Sequence, residues 1–242
     1  MIGWLHVMID VPRSAGATSG TFWSAALGWP QGPPWADHPS FSSFEPPVGT
    51  AYVHQQIGDH GPRIHLDVEA DDLDTTAARL TAIGARRGER AADWQPMSSP
   101  GGFPFCLVET HRESLAPVPS ATRDGHRLRL VQVCLDVPQD HIDREVSFWR
   151  SATGWRFEPS PGTDFAGKLV GDDASPVQLL IQRLDEPEGR TRAHIDLGTD
   201  DIDAAVDRLV ETGATRGPTG RGWVVLTDPT GMVFCVTGNR PD

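Results

Sequence analysis

The chain has 242 residues, 38% of them hydrophobic and 22% charged, with a formal net charge of −12. That balance fits a globular protein and argues against nucleic acid or an anionic membrane as a partner. No apolar run reaches membrane-spanning length, the start "MIGWLHVMIDV" carries no secretory signal, and three cysteines make no disulfide framework, so a cytoplasmic location is expected.

In chain order, "LHVMIDV" is a short apolar strand that carries His6. A helix follows and ends at Gly28-Trp29. The stretch from Gly28 to Pro47, "GWPQGPPWADHPSFSSFEPP", is rich in Pro and Trp. Its Trp29, Trp35, Phe41 and Phe44 either wall a ligand cleft or pack the loop down onto the body. "AYVHQQI" is a strand with His54, and "RIHLDVEADD" is a strand that places Arg63, His65 and Asp67 on one face. Leu73, Ala77, Leu80 and Ile83 then recur at helical spacing, with Asp71 or Asp72 as cap and Gly84 at the left-handed end. Strands "DWQPMSS" and "FPFCLVE" close the first half, the second bearing Cys106 and Glu109.

The segment "THRESLAPVPSATRDGHR" lacks apolar periodicity and reads as a linker. The expected division is residues 1–110, a linker at 111–127, and 128–242. The second half repeats the first. "SFWRSATGW" matches "TFWSAALGW" at an offset of 126, and residues 192–216 match 63–87 at an offset of 129, with 11 of 25 residues identical. His65 thus recurs as His194, Cys106 as Cys235, and Trp94 and Gly102 as Trp223 and Gly231. His6 becomes Gln132 at the offset of 126. Each half splits again into two strand–helix–strands modules. The four modules give about four helices and sixteen strands, an α+β fold with helices on one face of curved, mostly antiparallel sheets.

These tandem modules, with "QLLIQRLDEPEGRTRAHIDL", "DDIDAAVDRLVETGATR" and "GWVVLTDPTGMVFCV", resemble the vicinal-oxygen-chelate superfamily, in its glyoxalase and bleomycin-resistance branch. The resemblance implies βαβββ modules paired into two cups, each a site for a small molecule. It also implies, in catalytic members, a divalent metal held from a first, a middle and a last strand. The matching positions in the first half are His6, His65 and Cys106, the last standing where the family has Glu. In the second half they are Gln132, His194 and Cys235. Glu109 lies an odd number of residues beyond Cys106 and so turns to the other face.

Two readings follow. In one, the protein binds a small molecule in the first cup, through His6, His54, His65, Trp29 and Trp35, with Gln132 and His194 as second-half counterparts and no resident metal. In the other, Zn, Fe, Mn or Ni on His6, His65 and Cys106 serves a lyase, isomerase or dioxygenase. The cysteines stand in apolar strands, where Cys commonly behaves as a small hydrophobe. The Arg–His–Asp rows at 63–67 and 192–196 read equally well as polar networks that fix a His tautomer. Asp71, Asp72 and Asp74, like Asp200, Asp201 and Asp203, read as helix starts, and His38, His60, His111 and His126 as solvated. A monomer is expected, because tandem fusion supplies the pairing that single modules obtain from a second chain.

Overall fold

The computed structural model describes residues 4–59, 61–91, 93–110, 120–121, 125–172 and 175–241. The first repeat comprises β1 (Leu5–Pro12), α1 (Gly16–Leu27), β2 (Phe41–Ser43), β3 (Val53–Gly58), β4 (Arg63–Ala70), α2 (Leu73–Ala82), β5 (Arg86–Arg87), β6 (Trp94–Ser98) and β7 (Pro104–Glu109). A two-residue strand, β8 (Ser120–Ala121), pairs with the strand that opens the second repeat. That repeat comprises β9 (Arg127–Val137), α3 (Ile142–Thr153), β10 (Arg156–Pro159), β11 (Phe165–Val170), β12 (Gln178–Arg183), β13 (Arg192–Thr199), α4 (Ile202–Glu211), β14 (Thr215–Gly220), β15 (Trp223–Thr227) and β16 (Val233–Thr237).

The fold is α+β, as the sequence predicts. One sheet has the order β2-β3-β1-β4-β7-β6-β5, and the other β10-β11-β12-β9-β13-β16-β15-β14. Both are mixed, because β4 runs parallel to β7 and β13 parallel to β16. The first module departs from the repeat. Its helix is followed by two strands and an isolated bridge, Gln31 to Phe44, rather than by three strands. Pro30, Pro33 and Pro34 explain this, since proline brings no N–H to a ladder.

Helix ends follow local chemistry. Asp72 and Asp201 cap α2 and α4 by accepting from Thr75 N and Ala204 N. Gly28 and Gly154 end α1 and α3 at φ 69° and 74°, a region that favours glycine. Ile83 lies just past the end of α2 and is exposed, so the helical spacing overshoots by one residue.

Packing groups the chain into two compact units. One contains Met1–Val7, His65–Ser114 and Val133–Ala193, and the other contains Met8–Ile64, Leu115–Gln132 and His194–Asp242. In the first unit Phe105 packs on Phe148 and Trp149, with ring centres 6.0 and 5.4 Å apart. In the second, Phe234 packs on Phe22 and Trp23 at 5.8 and 5.1 Å. The repeated Phe-Trp pair of α1 and α3 is therefore core. One arginine ties the helices of each unit together. Arg79 of α2 donates to the Ser151 and Ala152 carbonyls at the end of α3, and Arg208 of α4 donates to those of Ala25 and Ala26 at the end of α1. A cation at a helix C-terminus also meets the negative end of the macrodipole.

Candidate functional site

The register of β4 on β7 sets the site. Asp67 lies beside Cys106 and Ala70 beside Glu109, with no break between. Alternation then assigns the faces. Leu66, Val68, Phe105 and Leu107 are buried on the side covered by helices. His65, Asp67, Glu69 and Cys106 take the opposite side. Glu109 shares the parity of Phe105 and points away from Cys106.

Donor atoms of His65, Asp67 and Cys106 all lie within 4.8 Å of one another. His65 Nε2 is 3.3 Å from Asp67 Oδ1, and the His65 side chain is 7% exposed. His6 reaches a different carboxylate: its Nε2 is 3.1 Å from Glu69 Oε1, and both side chains are nearly buried. The polar face thus holds two imidazole–carboxylate pairs, His6 with Glu69 and His65 with Asp67. The pairing of His65 with Asp67 belongs to the expected row; the pairing of His6 with Glu69, and Asp67 as a donor beside Cys106, escaped the motif reading. Their signal is the run His65-x-Asp67-x-Glu69, three polar residues of one parity inside an apolar strand.

The second repeat builds the same arrangement. β13 and β16 place Asp196 beside Cys235, and donors of His194, Asp196 and Cys235 lie within 4.8 Å of one another. His194 Nε2 is 3.5 Å from Asp196 Oδ1. Gln132, the counterpart of His6, donates through Nε2 to Asp196 Oδ2. The position equivalent to Glu69 is Gly198. A Cβ at Gly198 would come within 2.7 Å of the Asn239 carbonyl and 2.8 Å of Val131, and the strand takes glycine.

The expected Arg–His–Asp rows are shorter than the sequence suggests. Arg63 donates to Asp10 at 2.7 Å, and Arg192 donates to Glu186 at 2.8 Å. Hydrogen bonds from Arg192 hold Glu186 below the usual carboxylate range. Both arginines thus have carboxylate partners outside their own rows.

The aromatic loop divides between the two expectations. Trp29 and Phe44 are buried, and Trp29 packs edge-on against Tyr52 at 5.5 Å. Trp35 stacks on Phe41 at 5.2 Å, donates to Ser43 Oγ, and meets His54 edge-on at 5.4 Å. His54 Nδ1 is 2.9 Å from Ser43 Oγ. Trp35, Phe41, Ser43 and His54 therefore form one half-buried polar–aromatic group. His38 lies edge-on to Phe41, and His126 is 3.8 Å from Asp200 and 3.7 Å from Asp201. His60 and His111 fall outside the described residues.

The donor sets fit a transition metal. In a tetrahedral zinc site, bonds of about 2.0–2.3 Å put donors roughly 3.3–3.8 Å apart. Atoms within 4.8 Å close to that spacing by side-chain shifts of about 1 Å. Thiolate, imidazole and carboxylate together favour zinc or iron over magnesium or calcium.

A family model described as "Glyoxalase-like domain" matches residues 6–108 and 132–237. No curated protein sequence matches the chain. Among solved structures, the chain is similar to the Mn(II)-bound glyoxalase from Novosphingobium aromaticivorans, at 18% identity over 96% of this chain and 80% of that one, with a TM-score of 0.64. It is also similar to the 2,3-dioxygenase LapB from Pseudomonas sp. KL28, at 16% identity, 96% and 90% coverage and a TM-score of 0.62. A third is 2,2',3-trihydroxybiphenyl 1,2-dioxygenase from the dibenzofuran-degrading Sphingomonas wittichii strain RW1, at 12% identity, 98% and 90% coverage and 0.62.

Proposed function

The chain belongs to the glyoxalase-like domain family, and on that premise we propose that it binds a small molecule over the polar face of β1, β4 and β7, beside a zinc- or iron-class ion held by His65, Asp67 and Cys106. The observation that carries this reading is the parallel register that sets Cys106 beside Asp67 and His65, repeated at Cys235, Asp196 and His194. From sequence alone a resident metal is not expected, because tight binding needs three donors and only two are evident. Beside His65 and Cys106, Asp67 offers a further donor, with all three donor atoms within 4.8 Å of one another, and this supports a metal there. Mn(II) in the similarly folded glyoxalase adds the family's precedent.

When bound, such an ion would polarise a ligand oxygen. Glu69 Oε1 lies 3.1 Å from His6 Nε2 and holds that ring's orientation. If substrate is turned over there, lyase, isomerase and dioxygenase chemistry are the candidate classes.

Cobalt(II) titration of the purified full chain tests the site. The expected result is a cobalt–thiolate charge-transfer band in the near ultraviolet, roughly halved in Cys106→Ser and lost in Cys106→Ser/Cys235→Ser. Absence of the band, together with no retained zinc or iron, would overturn the metal and leave small-molecule binding without it.

A further inference from the structure

The two units stabilise the same helix–turn contact with the carboxylate on opposite sides. In the second unit the turn provides it. Asp228, which follows β15, accepts through Oδ1 from Thr230 N, Thr230 Oγ and Met232 N at 2.7–2.9 Å. Its Oδ2 accepts from Trp23 Nε1 of α1 at 2.9 Å. In the first unit the equivalent turn begins with Ser99 (228 − 129 = 99) and has no acid. Here Glu145 of α3 provides the carboxylate. Its Oε1 accepts from Ser99 Oγ at 2.7 Å and from Gly101 N, and its Oε2 accepts from Trp149 Nε1 at 2.9 Å. The position of Glu145 in α1 is Ser19 (145 − 126 = 19). Ser19 is 0% exposed, and its hydroxyl has no hydrogen-bond partner among the described residues. Acid and serine have traded places between helix and turn.

We propose that this exchange keys the pairing of the modules: the face of α1 fits only a turn that carries an acid, and the face of α3 fits only a turn that lacks one. The exchanged pairings fail for different reasons. With α1 on the Ser99 turn, the Trp23 indole N–H and the Gly101 N–H would meet no carboxylate, and buried donors left unpaired are costly. With α3 on the Asp228 turn, Glu145 and Asp228 would share one buried site as like charges. Only the observed pairing gives one carboxylate to each contact. Burial pushes the Glu145 carboxyl up, while Ser99, Gly101, Trp149 and the neighbouring His141 pull it down. A second acid would add to the first of those effects. The key lies at the helix-covered core and is independent of any metal.

Full-chain variants read by thermal unfolding test the key. Asp228→Ser alone and Ser19→Glu alone should each lower Tm by roughly 5–15 °C. The matched double, Asp228→Ser/Ser19→Glu, copies the first unit's arrangement into the second and should recover at least half of the summed loss. The mismatched double, Asp228→Ser/Ser99→Asp, keeps the same charge but leaves one contact with no acid and the other with two. It should lose at least the sum of its parts. If a single variant is insoluble, recovery of a soluble, cooperatively unfolding protein in the matched double alone is the supporting result. Equal behaviour of the two doubles, or simple additivity in the matched one, would overturn the proposal.

Discussion

Tyr52 is the single tyrosine of the chain, so one phenol reports on one place. It is 0% exposed, its hydroxyl donates to the Leu130 carbonyl at 2.5 Å, and its ring packs against Trp29. Burial pushes its pKa far above the ordinary value of 10.0, against a smaller downward pull from the Arg129 charge. The sign follows from linkage. A phenol that ionises later in the folded state holds its proton while the unfolded chain loses one. Its contribution is fully present below the unfolded value and falls as pH rises above it toward the folded value. The slope is about 1.4 kcal/mol per pH unit, so by about pH 11.5 this one group removes roughly 2 kcal/mol. The assay is tyrosinate absorbance measured beside far-ultraviolet circular dichroism across an alkaline titration. We expect no tyrosinate signal until the protein unfolds, with both signals moving together. In Tyr52→Phe the Leu130 carbonyl loses its donor, at about 1–2 kcal/mol near neutral pH. That variant should also lose the steep part of the alkaline limb. A tyrosinate midpoint near 10 in a still-folded protein would refute the reasoning.

Two further outcomes are expected. Asp201→Ala removes the acceptor for Ala204 N at the start of α4 and should cost about 1 kcal/mol, read as a fall in Tm of roughly 2–4 °C. Asp201→Asn, which can still accept that bond, should recover most of it. In solution we expect a monomer, with module pairing satisfied inside one chain. Light scattering that shows only a tight dimer at micromolar concentration would contradict this.

Much of the fold is legible because it is local and written twice. The cap at Asp72, the positive φ of Gly28 and the helical spacing of Leu73, Ala77 and Leu80 are decided within a few residues. What escapes is whatever depends on partners distant in sequence. Nothing near Cys106 announces that β7 runs parallel to β4, yet that register puts its thiol beside Asp67. Reading each strand alone, Cys106 is an apolar-strand cysteine and Asp67 the end of a polar row. Glu145 is equally silent in sequence, one polar residue near the start of α3. Its meaning appears only against Ser99 and Gly101, more than forty residues away. The aromatic loop is intermediate: its prolines predict a break in the strands, but not which rings turn inward.

The same register favours a residue without a fixed negative charge at Cys106. Strands in a sheet lie about 4.8 Å apart, and side chains directly opposite one another interact. Asp67 already occupies the position opposite Cys106. A carboxylate on β7 would place two acids side by side on a nearly buried face, and like charges opposed in this way are destabilising. With the acids on β4, as Asp67 and Glu69, β7 presents a neutral thiol or, on deprotonation, a metal-binding thiolate. The second repeat makes the same choice with Asp196 and Cys235. There, with Gly198 in place of Glu69, the residue opposite is an amide, Gln132, which donates to Asp196. Asp67 and Asp196 thereby each lie beside a cysteine and a histidine rather than a second acid. Without metal, Cys106→Glu alone should accordingly be less stable than Cys106→Glu/Asp67→Asn, read as the lower Tm of the two.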